Sequence, residues 1–313
     1  MQERGIGETR FALLEGELIL AAAILPDGLV PAGTVVEARL AAVSPRPIAR
    51  LADGQEVLLR ARPAGVSEGA SFRLEITRPA LPGPEPWKRA LGRAVRDGAP
   101  VQPPLEGRDL PFPPGGRDRL AEAGWDELLD SALSGRVSFA GGELLLALTP
   151  AMTVIDVDGW LPPEPLAIAG AAAAGAAIRR LDLQGSVGID LPSVAGKAAR
   201  QAAAEALDQA LAGAAFERTA VNGFGFLQIV RPRRRPSLLE LAHDAPSFAA
   251  RALLRRAARD GHGAARLAVH PRVAAVLEQR TDWLEALARQ RGGPVSLRSD
   301  AGLAISGGHA EPV

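Results

Sequence analysis

The sequence predicts a mixed fold, α+β or α/β, with a small β-barrel or sandwich first, a layered sheet-and-helix domain in the middle and a small α/β unit last. Three observations predict it. Residues 8–78 carry short apolar runs, punctuated by Gly, Pro and Asp at intervals of about 8–12 residues. Residues 99–117, APVQPPLEGRDLPFPPGGR, are dense in Pro and Gly and read as an exposed linker. Beyond them, short apolar runs alternate with longer Ala-rich helical patterns, the mark of a layered domain. The 313 residues suit about two domains at ~150 residues each, and 47% hydrophobic content is ample for their cores. The predicted organisation is a β domain over 1–98, a linker over 99–117, a central α/β domain over 118–238 and a C-terminal unit over 239–313.

In order along the chain, strands are expected at 9–14, 17–25, 34–42, 57–61 and 71–76. PALPGPEP at 79–86 breaks regular structure, and 87–98 suits a short helix with Trp87, Leu91 and Val95 on one face. An amphipathic helix is predicted at 119–134, with Leu120, Ala123, Leu128 and Leu129 to one side. Runs at 136–140, 143–148 and 152–157 read as an antiparallel meander. An Ala-rich helix at 167–181, a strand at 185–191, a helix at 194–213 and strands at 215–221 and 224–230 follow. The C-terminal unit is expected to hold helices at 246–259, 271–278 and 283–290 and strands at 265–269 and 295–298. At about 70 residues it is marginal alone and would dock on a larger body.

Composition excludes several functions. With no cysteine, there are no disulfides, thiolate zinc sites or cysteine nucleophiles. The four histidines, His243, His262, His270 and His309, lack HxxH or HExxH spacing, so a histidine metal site is not expected. No apolar run reaches the roughly 18 residues of a membrane span, and MQERGIGETRF lacks a signal peptide's apolar core. A soluble, cytoplasmic protein with no membrane partner is expected. Zero formal net charge argues against a uniformly basic nucleic-acid binder. Lys88 and Lys197 are the only lysines, so nearly all positive charge is arginine, whose fork suits phosphate.

The chemistry concentrates in GELLLALTPAMTVIDVD, residues 142–158. The run 152–157 ends at Asp156 and Asp158, and a second run, GSVGID, delivers Asp190. An intervening helix makes the two strands a parallel pair if they are neighbours. Both carboxylates would then emerge at one end, where a hard divalent cation relieves their repulsion. The plainer reading is that each Asp caps the turn that follows. The basic run Arg231-Pro232-Arg233-Arg234-Arg235-Pro236 is either a solvated turn or a phosphate contact. Lys197 and Arg200 start the next helix, and either face a substrate or lie on a solvated surface.

TPAMTVIDVD, then IRRLDLQGSVGID, then Arg218 and GFGFLQIVRPRRRPSL, resemble the ribonuclease E/G family of bacterial endoribonucleases. Residues 54–78 look like the end of that family's OB-type RNA-binding domain, and 249–310 like its small C-terminal domain. In all, roughly 230 residues align by eye at low identity. The resemblance implies an OB-like barrel, a DNase I-like/RNase H-like catalytic domain, and Mg²⁺-dependent cleavage of single-stranded RNA, with Mn²⁺ as a substitute. Asp156 and Asp190 would hold the metal, Asp158 would orient a water or act as a base, and Arg218, Arg231, Arg233, Lys197 and Arg200 would meet the RNA. It also implies a homodimer through the catalytic domain. The departures matter. The family's CPxCxG zinc link is replaced by LELAHDAPS, so no zinc is expected; the space for a 5′-end sensor domain is reduced to 79–135; and Asp158 stands where the family has asparagine. The barrel half has no tyrosine and, before the linker, only Phe11 and Phe72 as phenylalanines, so base stacking there is thin. A relative that binds RNA without cleaving it, and a structural protein with no RNA role, are the competing expectations.

Overall fold

The computed structural model describes residues 1–83, 88–96, 105–110 and 116–312. Trp87 and residues 84–86, together with 99–104 and 111–115 of the predicted linker, lie outside the described residues. The strands, in chain order, begin with β1 (Gln2–Arg4), β2 (Glu8–Glu15), β3 (Leu18–Pro26), β4 (Val35–Ala42), β5 (Ile48–Arg50), β6 (Glu56–Leu59), β7 (Ser71–Arg78) and β8 (Ala90–Ala94). Next come α1 (Arg119–Glu122), α2 (Trp125–Ser134), β9 (Arg136–Phe139), β10 (Gly142–Leu148), β11 (Thr153–Gly159), α3 (Pro163–Arg180), β12 (Gly185–Asp190), α4 (Lys197–Ala210), β13 (Glu217–Arg218) and β14 (Phe226–Arg231). The chain closes with α5 (Leu238–Ala242), α6 (Ala245–Arg259), β15 (Ala265–Val269), α7 (Pro271–Gln279), α8 (Thr281–Arg291), β16 (Val295–Ser299) and β17 (His309–Pro312).

The chain divides into two compact units. One comprises Met1–Asp27, Gly107–Glu127 and Leu241–Val313; the other comprises Gly28–Glu106 and Leu128–Glu240. In the first, β1, β2 and β3 form an antiparallel sheet, and β15 pairs in parallel with β16 and antiparallel with β17. Its core joins Ile6 to Leu253, Leu254, Leu267, Val273, Leu277, Trp283 and Leu287. The first two predicted strands therefore form their own sheet, outside the barrel. Their charges explain it: Glu3, Glu8 and Arg10 are buried and need buried partners. Arg10 pairs with Glu3 at 3.1 Å and Glu8 at 2.7 Å, Arg251 with Glu8 at 2.8 Å, and Arg255 with Glu3 at 2.7 Å. Arg255 and Arg259 also reach Asp118, at 2.7 and 2.9 Å.

In the second unit, β4-β5-β6-β8-β7 close into a five-stranded barrel around Leu40, Ala49, Val57, Leu59, Leu74 and Ile76. The predicted helix at 87–98 is, within its described part, the strand β8 that completes this barrel. A short apolar run is ambiguous between helix and strand, and here closure decides: at Gly92 an added Cβ would lie 2.6 Å from Leu74 Cδ1. The helix expected at 119–134 is two helices, broken where Gly124 takes φ +85°.

The same unit contains a six-stranded sheet, in the order β13-β14-β12-β11-β10-β9. β9, β10 and β11 are the expected antiparallel meander. The helix α3 carries the chain from β11 to β12, and the two strands pair in parallel as expected. Leu144, Leu146, Ile155, Val157, Val187, Ile189, Leu227 and Ile229 form the buried face of the sheet. The helix α3 lies close against that face, because Gly170 meets Val157 with no side chain of its own. No described helix is long and apolar enough to cross a membrane.

Candidate metal centre

Asp156 and Asp190 are Cα partners in the parallel pairing of β11 with β12. Neighbouring strands lie about 4.8 Å apart, and residues opposite each other point to the same face. Ile155 and Ile189 point into the helix-covered core, so Asp156 and Asp190 point to the other face, where both are exposed. Asp158 is exposed on that same face two residues on, but the pairing with β12 ends at Asp156. It accepts a hydrogen bond from the Gly159 N–H at 2.8 Å, and its cross-strand partner is Glu143, which pairs with Arg136. Among the described residues, no group of three or more His, Asp or Glu side chains is placed to hold a metal ion. The acidic arrangement is thus a pair, with Asp158 beside it.

The pair lies where the parallel pairing ends: β12 stops at Asp190, while β11 runs on to Gly159 against β10. At this edge β11 runs toward α3 and β12 toward α4, which bring two helix N-termini with their positive dipole ends. On the open face, Phe226 is the cross-strand partner of Asp190 and its ring covers Gly188, which has no side chain to compete. A tight turn leads into Phe226. Asn222 Oδ1 accepts from the Phe224 and Phe226 N–H groups at 2.9 and 3.1 Å, and Gly225 takes φ +91°. The loop from Asp190 to α4 is tied to this turn, as Ser193 donates to the Phe224 carbonyl at 2.9 Å.

Of the five basic residues expected to meet RNA, two lie at this edge. Lys197 is exposed on the first turn of α4. Arg200 donates to the Val194 and Ala195 carbonyls at 2.9 and 3.0 Å and so fixes the loop after Asp190. The other three lie elsewhere. Arg218 is opposite Ile229, on the helix-covered side of the sheet, and grips Asp208 of α4 through two hydrogen bonds of 2.6 and 2.5 Å. That grip holds the Asp208 carboxyl below its usual range and raises Arg218. Arg231 is opposite Gly185 at the far end of β12, five residues or about 16 Å from Asp190 at ~3.3 Å per residue. There it donates to the Leu183 and Ile178 carbonyls at 2.6 and 3.4 Å, and burial lowers its pKa. Arg233 pairs with Glu240 at 2.5 Å, and Arg235 with Asp182 at 2.5 Å.

The basic run is therefore a clamp around the turn between α3 and β12. Its end is stapled by a capping box, in which Ser237 N–H donates to Glu240 at 2.8 Å and Glu240 N–H to Ser237 Oγ at 3.2 Å. Arg231, Arg233 and Arg235 each have an acid or backbone carbonyls to answer them, and that pairing is not visible in the run itself. Two exposed aromatics lie at the acidic edge: Trp160, 78% exposed, and Phe224, 83% exposed, which sits in the turn before β14 rather than in the strand expected at 224–230. Their signal was local, an aromatic directly after Asp158-Gly159 and another in a Gly-flanked turn. No protein-family model and no curated protein matches this chain.

Proposed function

We propose that this chain is a metal-dependent endoribonuclease that hydrolyses phosphodiester bonds of single-stranded RNA. The observation that carries the reading is the side-by-side register of Asp156 and Asp190 on neighbouring parallel strands, both exposed on the same face of the sheet. The donor set fits Mg²⁺ or Mn²⁺: both groups are hard carboxylate oxygens, and the chain's four histidines all lie beyond residue 242. Bound there, the ion would supply Lewis-acid polarisation of a phosphodiester oxygen and an acidified water. Asp156 and Asp190 would hold it, and Asp158, just beyond, would orient a water and accept its proton. Lys197 supplies positive charge for the phosphate backbone, while Arg200 keeps the loop after Asp190 in place. The five-stranded barrel suits an OB-type RNA-binding module, in keeping with the resemblance to the ribonuclease E/G family.

The test is cleavage of a labelled single-stranded RNA by nuclease-free protein, with Mg²⁺ and with chelator. Asp156→Asn and Asp190→Asn should each abolish metal-dependent cleavage while leaving the melting temperature unchanged, since both side chains are exposed. Equal cleavage by parent and variants would end the proposal.

A second reading has its own observation. Arg218, Arg231 and Arg233 are held in intramolecular pairs, and the acids near the site do not assemble into a three-ligand group. That combination suits a relative that binds RNA without cutting it. RNA binding with no metal-dependent turnover in the same assay would select this reading.

A further inference from the structure

Trp160 and Phe224 are the most exposed large apolar side chains among the described residues, and both belong to the edge where Asp156 and Asp190 emerge. Trp160 follows the end of β11, four residues after Asp156. Phe224 lies in the turn that enters β14, two residues before the partner of Asp190. In the sheet order β14-β12-β11, Phe224 lies at the β14 side, next to the strand of Asp190, and Trp160 continues the strand of Asp156, so both aromatics lie beyond the acidic pair toward the same end of the parallel strands. Two strand spacings, on the order of 10 Å, separate their strands.

Neither ring is exposed because its backbone is loose. The Trp160 N–H is bonded to the Gly141 carbonyl at 3.1 Å, Leu161 packs against Gly141, and two prolines follow. Phe224 is fixed by Asn222 and Ser193, and a Cβ at Gly225 would meet the Leu191 carbonyl at 2.1 Å. A rigid backbone that offers an aromatic face to water is how a stacking platform is built. The surroundings select the occupant. An apolar protein surface seated on both rings would also cover Asp156, Asp158 and Asp190, and stripping water from unpaired carboxylates is costly. A nucleobase needs only the ring faces, and leaves its sugar-phosphate chain in the hydrated, cation-accessible space between them.

We infer that Trp160 and Phe224 are base-stacking platforms for single-stranded RNA, which hold the strand at the sheet edge beside Asp156 and Asp190. This assigns to the edge of the six-stranded sheet the stacking that the aromatic-poor barrel lacks. The inference rests on the reading of the acidic pair as a phosphodiester site, but it is tested by binding alone.

The probes are a fluorescein-labelled oligouridine strand, an abasic strand of equal length and a duplex, titrated by anisotropy in Ca²⁺. Trp160→Ala and Phe224→Ala should each weaken oligouridine binding by about 5- to 140-fold, the range that one lost base stack gives. Trp160→Phe and Phe224→Trp should bind like the parent. The abasic strand and the duplex should bind weakly and be indifferent to all four changes. Undiminished oligouridine binding in the alanine variants, or abasic binding equal to oligouridine binding, would overturn the inference. So would a concentration-dependent dimer, seen by sedimentation, that the alanine variants abolish with RNA binding intact. Loss of cleavage in Asp156→Asn alongside unaltered stacking variants would leave the phosphodiester reading standing and remove only this one. Dependence of binding on both rings, with no effect of the aspartates on cleavage, would do the reverse.

Discussion

At Gly188 an added Cβ would lie 2.7 Å from Phe226 Cζ and 2.9 Å from Met152 Sδ. The glycine in GSVGID therefore has a packing reason: it lets the Phe226 ring lie across β12 next to Asp190. Flexible side chains can give way, so the cost of filling this space is moderate. Gly188→Val should destabilise the protein by about 1–3 kcal/mol through overpacking, read as a shift in the urea midpoint with an unchanged slope. Strand propensity alone argues the opposite sign, since Val is favoured in strands. A stabilised variant would show that Phe226 moves away without penalty. The aspartates obey a simpler rule at this scale. Alternation along β11 and β12 fixes their face, and the core residues Ile155 and Ile189 fix which face is wet.

The same contest between local preference and packing decides the behaviour of α3. This helix is rich in alanine and glycine because it lies close to its neighbours. A Cβ on Gly170 would stand 2.3 Å from Val157 Cγ1, and one on Gly175 would stand 2.6 Å from the Ala210 Cβ of α4. On helix propensity, Gly170→Ala should stabilise by about 1 kcal/mol. The overlap with a buried strand residue is larger, at about 1–3 kcal/mol, so a lower melting temperature is expected. A rise would mean that α3 can lift off β11. Because β11 carries Asp156, the same variant should also reduce metal-dependent cleavage on the proposed reading. The elements themselves follow local signals. Pro163 starts α3, and Ser237 with Glu240 boxes the start of α5. What local signals miss is where a helix must break, as at Gly124.

For the whole molecule, the buried ionic network of the first unit matters most. It ties residues 3–10, Asp118 and the α6 arginines 251, 255 and 259, which are far apart in the chain. Burial by itself would push Asp118 up. The hydrogen bonds from Arg255 and the Ala121 N–H, with the charges of Arg255 and Arg259, outweigh it and hold the carboxyl below its usual range. A carboxyl depressed in the folded state contributes stability above its unfolded value and loses it as pH falls through the folded one. Stability should therefore decline below about pH 4, and Asp118→Asn should be less stable at neutral pH with a shallower decline in acid. Parallel pH profiles for parent and variant would contradict this.

These pairings also mark the limit of the sequence. Period and punctuation determined most strands and helices, the meander, and the parallel return that aligns Asp156 with Asp190, because each depends on neighbours within about 35 residues. Membership of sheets was decided only in three dimensions. Residues 8–26 read like barrel strands, yet the burial of Glu8 and Arg10 requires Arg251 and its neighbours, some 240 positions away, and that places them in another sheet. The basic run 231–235 could be read as a solvated turn or as phosphate contacts, but Arg235, Arg233 and Arg231 pair with Asp182, Glu240 and backbone carbonyls. A charge pattern specifies the chemistry a residue can do, and only the tertiary structure decides which partner is within reach to do it with.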